Sequence, residues 1–221
     1  MQAGAALPPP WKHDLKVAAV FAVIAGLATA ALIPYLMQLM PDKFARIPVP
    51  LWVLVVAQAI QACVLLGGLS LLGLRMGHRV GLGAPLLQHW INRQPLEKSG
   101  LKPLNSALLG VLAAILVIGA SMAIDPFLPP MRHPPAEVGG AQSAFNGFLA
   151  SFYGGIAEEL QLRLFLMTLL VWFVAKIKGV QPRDAIYWNA IIAAALLFGA
   201  GHLPTAGHVW GLDAMVGVRT G

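Results

Sequence analysis

Residues 145–176, FNGFLASFYGGIAEELQLRLFLMTLLVWFVAK, decide the fold: they form an apolar run that is interrupted by charges at Glu158, Glu159 and Arg163. The run is longer than the roughly 20 apolar residues that a helix needs to cross a bilayer. A charged side chain at the middle of a bilayer costs about 3 kcal/mol on insertion scales. The three charged side chains must therefore face protein or water, and they indicate a function inside a membrane helix.

The whole chain has the composition of a membrane protein. Of its 221 residues, 58% are hydrophobic and only 11% are charged, whereas about a quarter of the residues of a soluble domain are charged. Further apolar runs of spanning length cover residues 15–40, 51–74, 107–128 and 185–203. The sequence therefore predicts an all-α, polytopic transmembrane helix bundle with about five spans, whose surroundings are the lipid bilayer.

The formal net charge of +6 is explained by membrane topology. Basic residues cluster in the N-terminal segment and in the second and fourth connections, at Lys12, Lys16, Arg75, Arg79, Arg93, Lys98, Lys102, Lys176, Lys178 and Arg183. The positive-inside rule then predicts a multi-pass protein of the cell membrane with a cytoplasmic N-terminus. No basic patch is interleaved with aromatic residues, so we expect no nucleic-acid partner. The single cysteine, Cys63, excludes a disulfide within the chain and is interpreted as a small apolar residue.

The spacing of the charged residues separates them into a pair and a single carboxylate. Glu159 and Arg163 are four positions apart, so they share a helix face and are expected to pair. Glu158 points about 100° away from that pair, on a face that also holds Ala150 and Gly154, which predicts close approach of a neighbouring helix. A buried ion pair that only holds helices in register explains Glu159 and Arg163 well, but it explains Glu158 poorly.

His202 is the second candidate for chemistry. Phe198 and His202 are four positions apart on the last apolar run, and Pro204 is expected to end that helix. A neutral imidazole beside a desolvated carboxylate is a natural acid/base pair. The other histidines are interpreted as solvated or interfacial; they are His13, His78, His89, His133 and His208.

The pattern Glu158-Glu159-x-x-x-Arg163, followed on the next apolar helix by Phe198-x-x-x-His202, resembles the CPBP family of intramembrane proteases, the type II CAAX prenyl endopeptidases or Abi family. The resemblance implies an endopeptidase that acts on a membrane-associated peptide or a prenylated protein. It implies that Glu158 activates the attacking water, that His202 assists, and that Glu159 and Arg163 orient the site. It leaves open whether a zinc ion takes part, with Glu158 and His202 as the candidate metal ligands.

The sequence departs from the family in one motif. The family carries a His followed four residues later by Asn or Asp on a further helix, whereas the nearest candidate here, His208 with Asp213, has the wrong spacing. We therefore expect N-terminal membrane helices and a cytoplasmic loop over residues 1–140 and a C-terminally incomplete CPBP domain over residues 141–221. The alternative is a catalytically inactive scaffold or bacteriocin-immunity-type protein. A transporter with Glu158 as proton relay is less favoured because the spans show no repeat symmetry.

Overall fold

The computed structural model of the chain describes residues 10–96 and 102–220, and within these ranges the regular structure is helical, without strands. The helices are α1 (Trp11–Leu39), α2 (Pro41–Phe44), α3 (Leu51–Gly77), α4 (Pro85–Asn92), α5 (Pro103–Ile124), α6 (Gly140–Phe152), α7 (Thr168–Lys178), α8 (Asp184–Val209) and α9 (Ala214–Thr220). Two π-helical segments, π1 (Tyr153–Glu158) and π2 (Leu160–Met167), join α6 to α7.

Five helical stretches are long and apolar enough to cross a membrane: Trp11–Leu39, Leu51–Gly77, Pro103–Phe127, Gly140–Lys178 and Asp184–Val209. This confirms the predicted all-α fold with about five spans. Lys98, which belongs to the second basic connection, lies outside the described residues. Residues 1 and 221, the outer ends of the two predicted domains, also lie outside them.

Contacts divide the chain into two compact units. The first unit comprises Met1–Gln94 and Pro135–Ala195, and the second comprises Pro95–Pro134 and Leu196–Gly221. Helix α8 begins in the first unit and ends in the second. The domain boundary expected at residue 140 was placed by the sequence motifs and not by contacts. It stays a prediction.

Close helix packing builds the core of the first unit. Helices α1 and α3 form an antiparallel pair, against which π1 and π2 pack. A Cβ added at Gly73 of α3 would overlap the backbone carbonyl oxygen of Leu164 in π2, so only glycine permits this approach. The buried apolar cluster here comprises Val17, Ala18, Ala25, Ala62, Leu66, Leu74, Ala157, Leu160 and Leu164.

A buried carboxylate ties α1 to α3 and α4. Asp14 is fully buried and accepts hydrogen bonds from Arg75 Nη1 at 3.0 Å and Gln88 Nε2 at 2.8 Å, while His78 Nε2 lies 2.9 Å from its Oδ1. The interpretation of His78 as solvated is therefore wrong, whereas its position directly after a spanning helix agrees with the interfacial alternative. The reason is that α3 continues to Gly77, which places His78 against a carboxylate far away in sequence.

The second unit contains α5, α9 and the C-terminal part of α8. Arg219 Nε donates to Asp125 Oδ1 at 2.7 Å, which connects α9 to the end of α5. The backbone N–H groups of Arg132 and His133 donate to Val209 O, which holds the Pro-rich connection at the end of α8. The rings of His133 and His208 stack with their centroids 4.3 Å apart.

The prediction that Pro204 ends the last helix is wrong, because α8 continues to Val209 with Pro204 inside it. A proline removes one backbone hydrogen bond, but membrane helices tolerate that loss when neighbouring groups satisfy the backbone. Beyond Pro204, helical bonding resumes with Trp210 N to Ala206 O at 2.9 Å. The chain turns away at Gly211, whose φ of 85° is the left-handed conformation that favours glycine.

Candidate active site

The three charged residues of the long helical stretch lie in and between its two π-helical segments. Glu158 is the last residue of π1, Glu159 stands between the two segments, and Arg163 lies within π2. A π-helix bonds each N–H to the carbonyl five residues back, which makes the turn wider, and such segments are found frequently at functional sites. Where π2 gives way to α7, the buried Thr168 Oγ1 donates to Arg163 O at 3.1 Å, which satisfies a carbonyl at that junction.

The expected pair between Glu159 and Arg163 is confirmed. Arg163 Nε lies 3.0 Å from Glu159 Oε2, with the two side chains 76% and 45% exposed respectively. Because each charge is neutralised by the other, the pair lowers the cost of carrying both charges in a membrane helix. Glu159 and Arg163 are therefore bound to each other.

Glu158 folds back along its own helix. A Cβ added at Gly154 would lie 3.3 Å from Glu158 Oε2, and no other heavy atom beyond its immediate chain neighbours would lie within 4 Å. Gly154 and Glu158 therefore share a face, as predicted. The Glu158 carboxylate occupies the space above Gly154, so the role of this glycine is to leave room for the carboxylate. The sequence context did not reveal this role. Ala157 and Leu160, at 0% and 4% exposure, anchor the backbone around this carboxylate in the core of the first unit.

His202 lies on α8, in the second unit. Its Nδ1 is 2.9 Å from Phe198 O, and since a carbonyl oxygen only accepts, Nδ1 carries the proton of this hydrogen bond. The Phe198 ring meets the imidazole edge-on at 4.4 Å, so the predicted shared face of these two residues is confirmed. In the neutral tautomer that this geometry selects, Nε2 is the acceptor and the atom with which the ring takes up a proton.

The donor groups around these residues do not make a zinc site within either unit. A catalytic zinc ion needs three protein ligands. Taken by itself, neither unit brings three His, Cys, Asp or Glu side chains close enough around Glu158 or His202, as far as its residues are described. Glu159, the nearest second carboxylate in sequence, is already bound to Arg163. The zinc prediction, with Glu158 and His202 as candidate ligands, stays a prediction, and no chemical step below depends on a metal.

Two features of the site were missed by sequence reasoning. The π-helical geometry has no established sequence signature, although the adjacent Gly154 and Gly155 mark a weak point for an α-helix. The contact between Gly73 and Leu164 connects residues that are distant in sequence, so no local spacing could predict it.

Comparison with known proteins bears on the part of the chain that carries these residues. Residues 140–219 match the model of the family described as type II CAAX prenyl endopeptidase Rce1-like. No curated protein and no solved structure gives a significant match to the chain. The matched range contains Glu158, Glu159, Arg163 and His202, the residues on which the resemblance to the CPBP proteases rests. This match to a family of membrane proteases supports the resemblance of residues 140–219 to the CPBP family.

Proposed function

We propose that the protein is an intramembrane endopeptidase that hydrolyses a peptide bond of a prenylated protein or another membrane-associated peptide. The observation that carries the proposal is the Glu158-Glu159-x-x-x-Arg163 pattern within the family match, on a helix that is apolar on both sides. Two carboxylates and one cation are costly in a membrane helix, and such residues usually have a function. Hydrolysis of a peptide bond is a function that uses a carboxylate.

Glu158 is the proposed general base. Its carboxylate takes a proton from a water molecule, and the resulting hydroxide attacks the carbonyl carbon of the substrate's peptide bond. Glu158 is half-buried, which limits the water around this carboxylate and strengthens its electrostatic interactions. When the carbon–nitrogen bond breaks, the proton passes to the leaving amine.

His202 is the proposed assisting residue. With Nδ1–H held on Phe198 O, its Nε2 can accept a proton or, once protonated, donate a hydrogen bond to the oxyanion that forms on the attacked carbonyl. Glu159 and Arg163 are proposed as positioning residues, because their ion pair fixes the helix face next to Glu158.

The test is hydrolysis of a prenylated Cys-a-a-X peptide by the full chain reconstituted in lipid vesicles. We expect the wild type to cleave the peptide, and Glu158→Gln and His202→Ala to lose on the order of 100-fold or more in rate. Glu137→Gln serves as the matched control, since Glu137 is an exposed loop glutamate and the change removes the same charge. Equal rates in all four proteins would refute the assignment of Glu158 and His202.

A second candidate function is a membrane scaffold or immunity-type protein that keeps the fold without hydrolysis. The observation that favours it is that His208 and Asp213, the candidate for the third family motif within residues 204–220, have the wrong spacing. This function predicts that no variant, including the wild type, cleaves any prenylated or transmembrane peptide in the same assay. It also predicts that Glu158→Gln leaves binding of the partner unchanged.

A further inference from the structure

A cavity lies at the basic end of the first unit, where α3 and α7 end. Its volume is about 320 Å³. The turn after α3, the last two turns of α7 and the connection to α8 line it, with Arg79, Val80, Trp172, Ala175, Lys176, Gly179, Val180, Gln181 and Pro182. None of the residues proposed for hydrolysis takes part in it.

The turn that lines one side of the cavity is packed against neighbouring helices. Val80 packs in a buried cluster with Val171 and Ala190, and its carbonyl oxygen accepts a hydrogen bond from Tyr187 Oη at 2.5 Å. These contacts fix the turn that carries Arg79 relative to α7 and the start of α8. The cavity is therefore lined by α7, the turn after α3 and the connection to α8, all within one unit.

Two cations of the cavity, Arg79 and Lys176, have no carboxylate partner among residues 10–96 and 102–220. The contact that the structure gives Lys176 is with the ring of Trp172, whose centroid lies 4.8 Å from Nζ. Lys178 and Arg183, close by in the chain, add positive charge, while Asp184 is the one acidic residue near them in sequence. Such an arrangement favours a bound anion.

Apart from Gln181, the remaining side chains of the lining are apolar, which selects among anions. Val80, Ala175, Val180 and Pro182 contribute carbon surface to the cavity. On α7 and just after it, Phe173, Ile177 and Val180 are 53%, 69% and 52% exposed, so an apolar surface continues from the cavity along a helix that is long enough to span a membrane. A free inorganic anion makes no use of such a surface, whereas an acyl chain does.

The position of the cavity fits the headgroup level of a bilayer. It lies at the ends of two spanning helices, and the same end carries the basic connections that the positive-inside rule assigns to the cytoplasm. Trp172 is of the residue type that is enriched at membrane–water interfaces. Anionic lipids of the cytoplasmic leaflet attract basic residues at this depth.

We propose that this cavity binds the phosphate-bearing headgroup of an anionic glycerolipid, with Arg79 and Lys176 on the phosphate and an acyl chain along the outer face of α7. This inference is independent of the proposed hydrolysis, because it uses different residues and predicts a bound lipid whether or not the protein cleaves peptides.

The test is retention of lipid by the full chain in detergent, measured by native mass spectrometry during titration with phosphatidylglycerol. The double variant Arg79→Gln, Lys176→Gln is expected to bind phosphatidylglycerol roughly thirtyfold more weakly than the wild type, at about fivefold for each cation. The control Lys43→Gln, Arg46→Gln removes two exposed cations at the opposite end of the α1–α3 pair and is expected to bind as the wild type does. The charge-preserving variant Arg79→Lys, Lys176→Arg is expected to retain the lipid.

Three outcomes would overturn the proposal. The first is unchanged phosphatidylglycerol retention in the double glutamine variant. The second is equal retention of phosphatidylcholine with the same acyl chains, which carries no net charge. The third is displacement of the lipid by a large excess of inorganic phosphate, which would make the cavity a general anion site. If the double variant does not fold, Lys176→Gln alone carries the same test, because Lys176 is exposed.

Discussion

At the scale of single residues, what the sequence reveals depends on how far apart two partners lie in the chain. Glu159 and Arg163 are one helical turn apart, so their pairing follows from spacing alone, and the structure confirms it at 3.0 Å. Asp14 instead finds its partners 61 to 74 residues away, at Arg75, His78 and Gln88. Local sequence patterns do not predict contacts between residues so far apart in the chain. The contact of His78 with Asp14 was therefore not predicted, and Asp14 was not recognised as a buried residue.

Replacement of Asp14 by alanine is expected to destabilise the protein strongly. The change would leave Arg75 and His78 partly buried without their common carboxylate, and breaking a buried ion pair on one side typically costs about 3–5 kcal/mol. Thermal unfolding in detergent measures this loss. Asp14→Asn is the intermediate case, since its single amide oxygen still accepts a hydrogen bond from Arg75 or from Gln88. A stability of Asp14→Ala equal to that of the wild type would contradict the role of this carboxylate.

Gly154 gives a test of the geometry around Glu158. A Cβ at residue 154 would lie 3.3 Å from Glu158 Oε2, so Gly154→Ala displaces the carboxylate by a few tenths of an ångström. Since misplacement of a reacting group by about 1 Å can cost 100-fold, we expect a loss of hydrolysis of about tenfold. Gly155→Ala is the matched control, because a Cβ there meets no atom within 4 Å. Equal hydrolysis rates in the two variants would argue against this position of the carboxylate.

At the scale of helices, the positions of the spans were predictable and their inner geometry was not. Runs of apolar residues located all five spans, because the length of a spanning helix is set by the thickness of the bilayer. The π-helical segments around Glu159 and the continuation of α8 through Pro204 depend on contacts beyond the local sequence. Close packing at glycines belongs to the same class of features.

Gly73 tests the packing of α3 against π2. Gly73→Ala is expected to lower the free energy of unfolding by about 3 kcal/mol or more, because the new Cβ would meet the backbone of Leu164, which cannot rotate away. Gly68→Ala, on the same helix with no atom within 4 Å of its Cβ, is expected to be neutral or stabilising by up to about 1 kcal/mol. Thermal unfolding of both variants measures the difference, and equal melting temperatures would refute the close approach of these two helices.

At the scale of the whole molecule, the distribution of charge predicts which side of the membrane each connection faces. In the first unit, contacts of Asp14 with Arg75 and of Val80 with Val171 bring the start of α1 and the ends of α3 and α7 to one end. These are the segments that carry the basic residues, so the arrangement agrees with the alternation that the positive-inside rule requires.

Cysteine accessibility tests this topology directly. In a Cys63→Ala background, a cysteine at residue 93 or 178 is expected to resist a membrane-impermeant thiol reagent added outside intact cells. A cysteine at residue 43 is expected to react, because its connection is predicted to face outward. All three become reactive once the membrane is permeabilised. The reverse pattern in intact cells would contradict a cytoplasmic N-terminus.

The most direct test of the central claim compares the two adjacent carboxylates. Glu158→Gln and Glu159→Gln remove the same charge from neighbouring positions of one helix, but only Glu158 is assigned to water activation. In vesicles with a prenylated peptide, single-turnover hydrolysis is expected to fall about 100-fold to 10,000-fold in Glu158→Gln, with unchanged thermal stability. Glu159→Gln is expected to lose about tenfold or less and to unfold at a lower temperature, because Arg163 loses its partner. Wild-type hydrolysis in Glu158→Gln, or the larger loss in Glu159→Gln, would contradict the assignment.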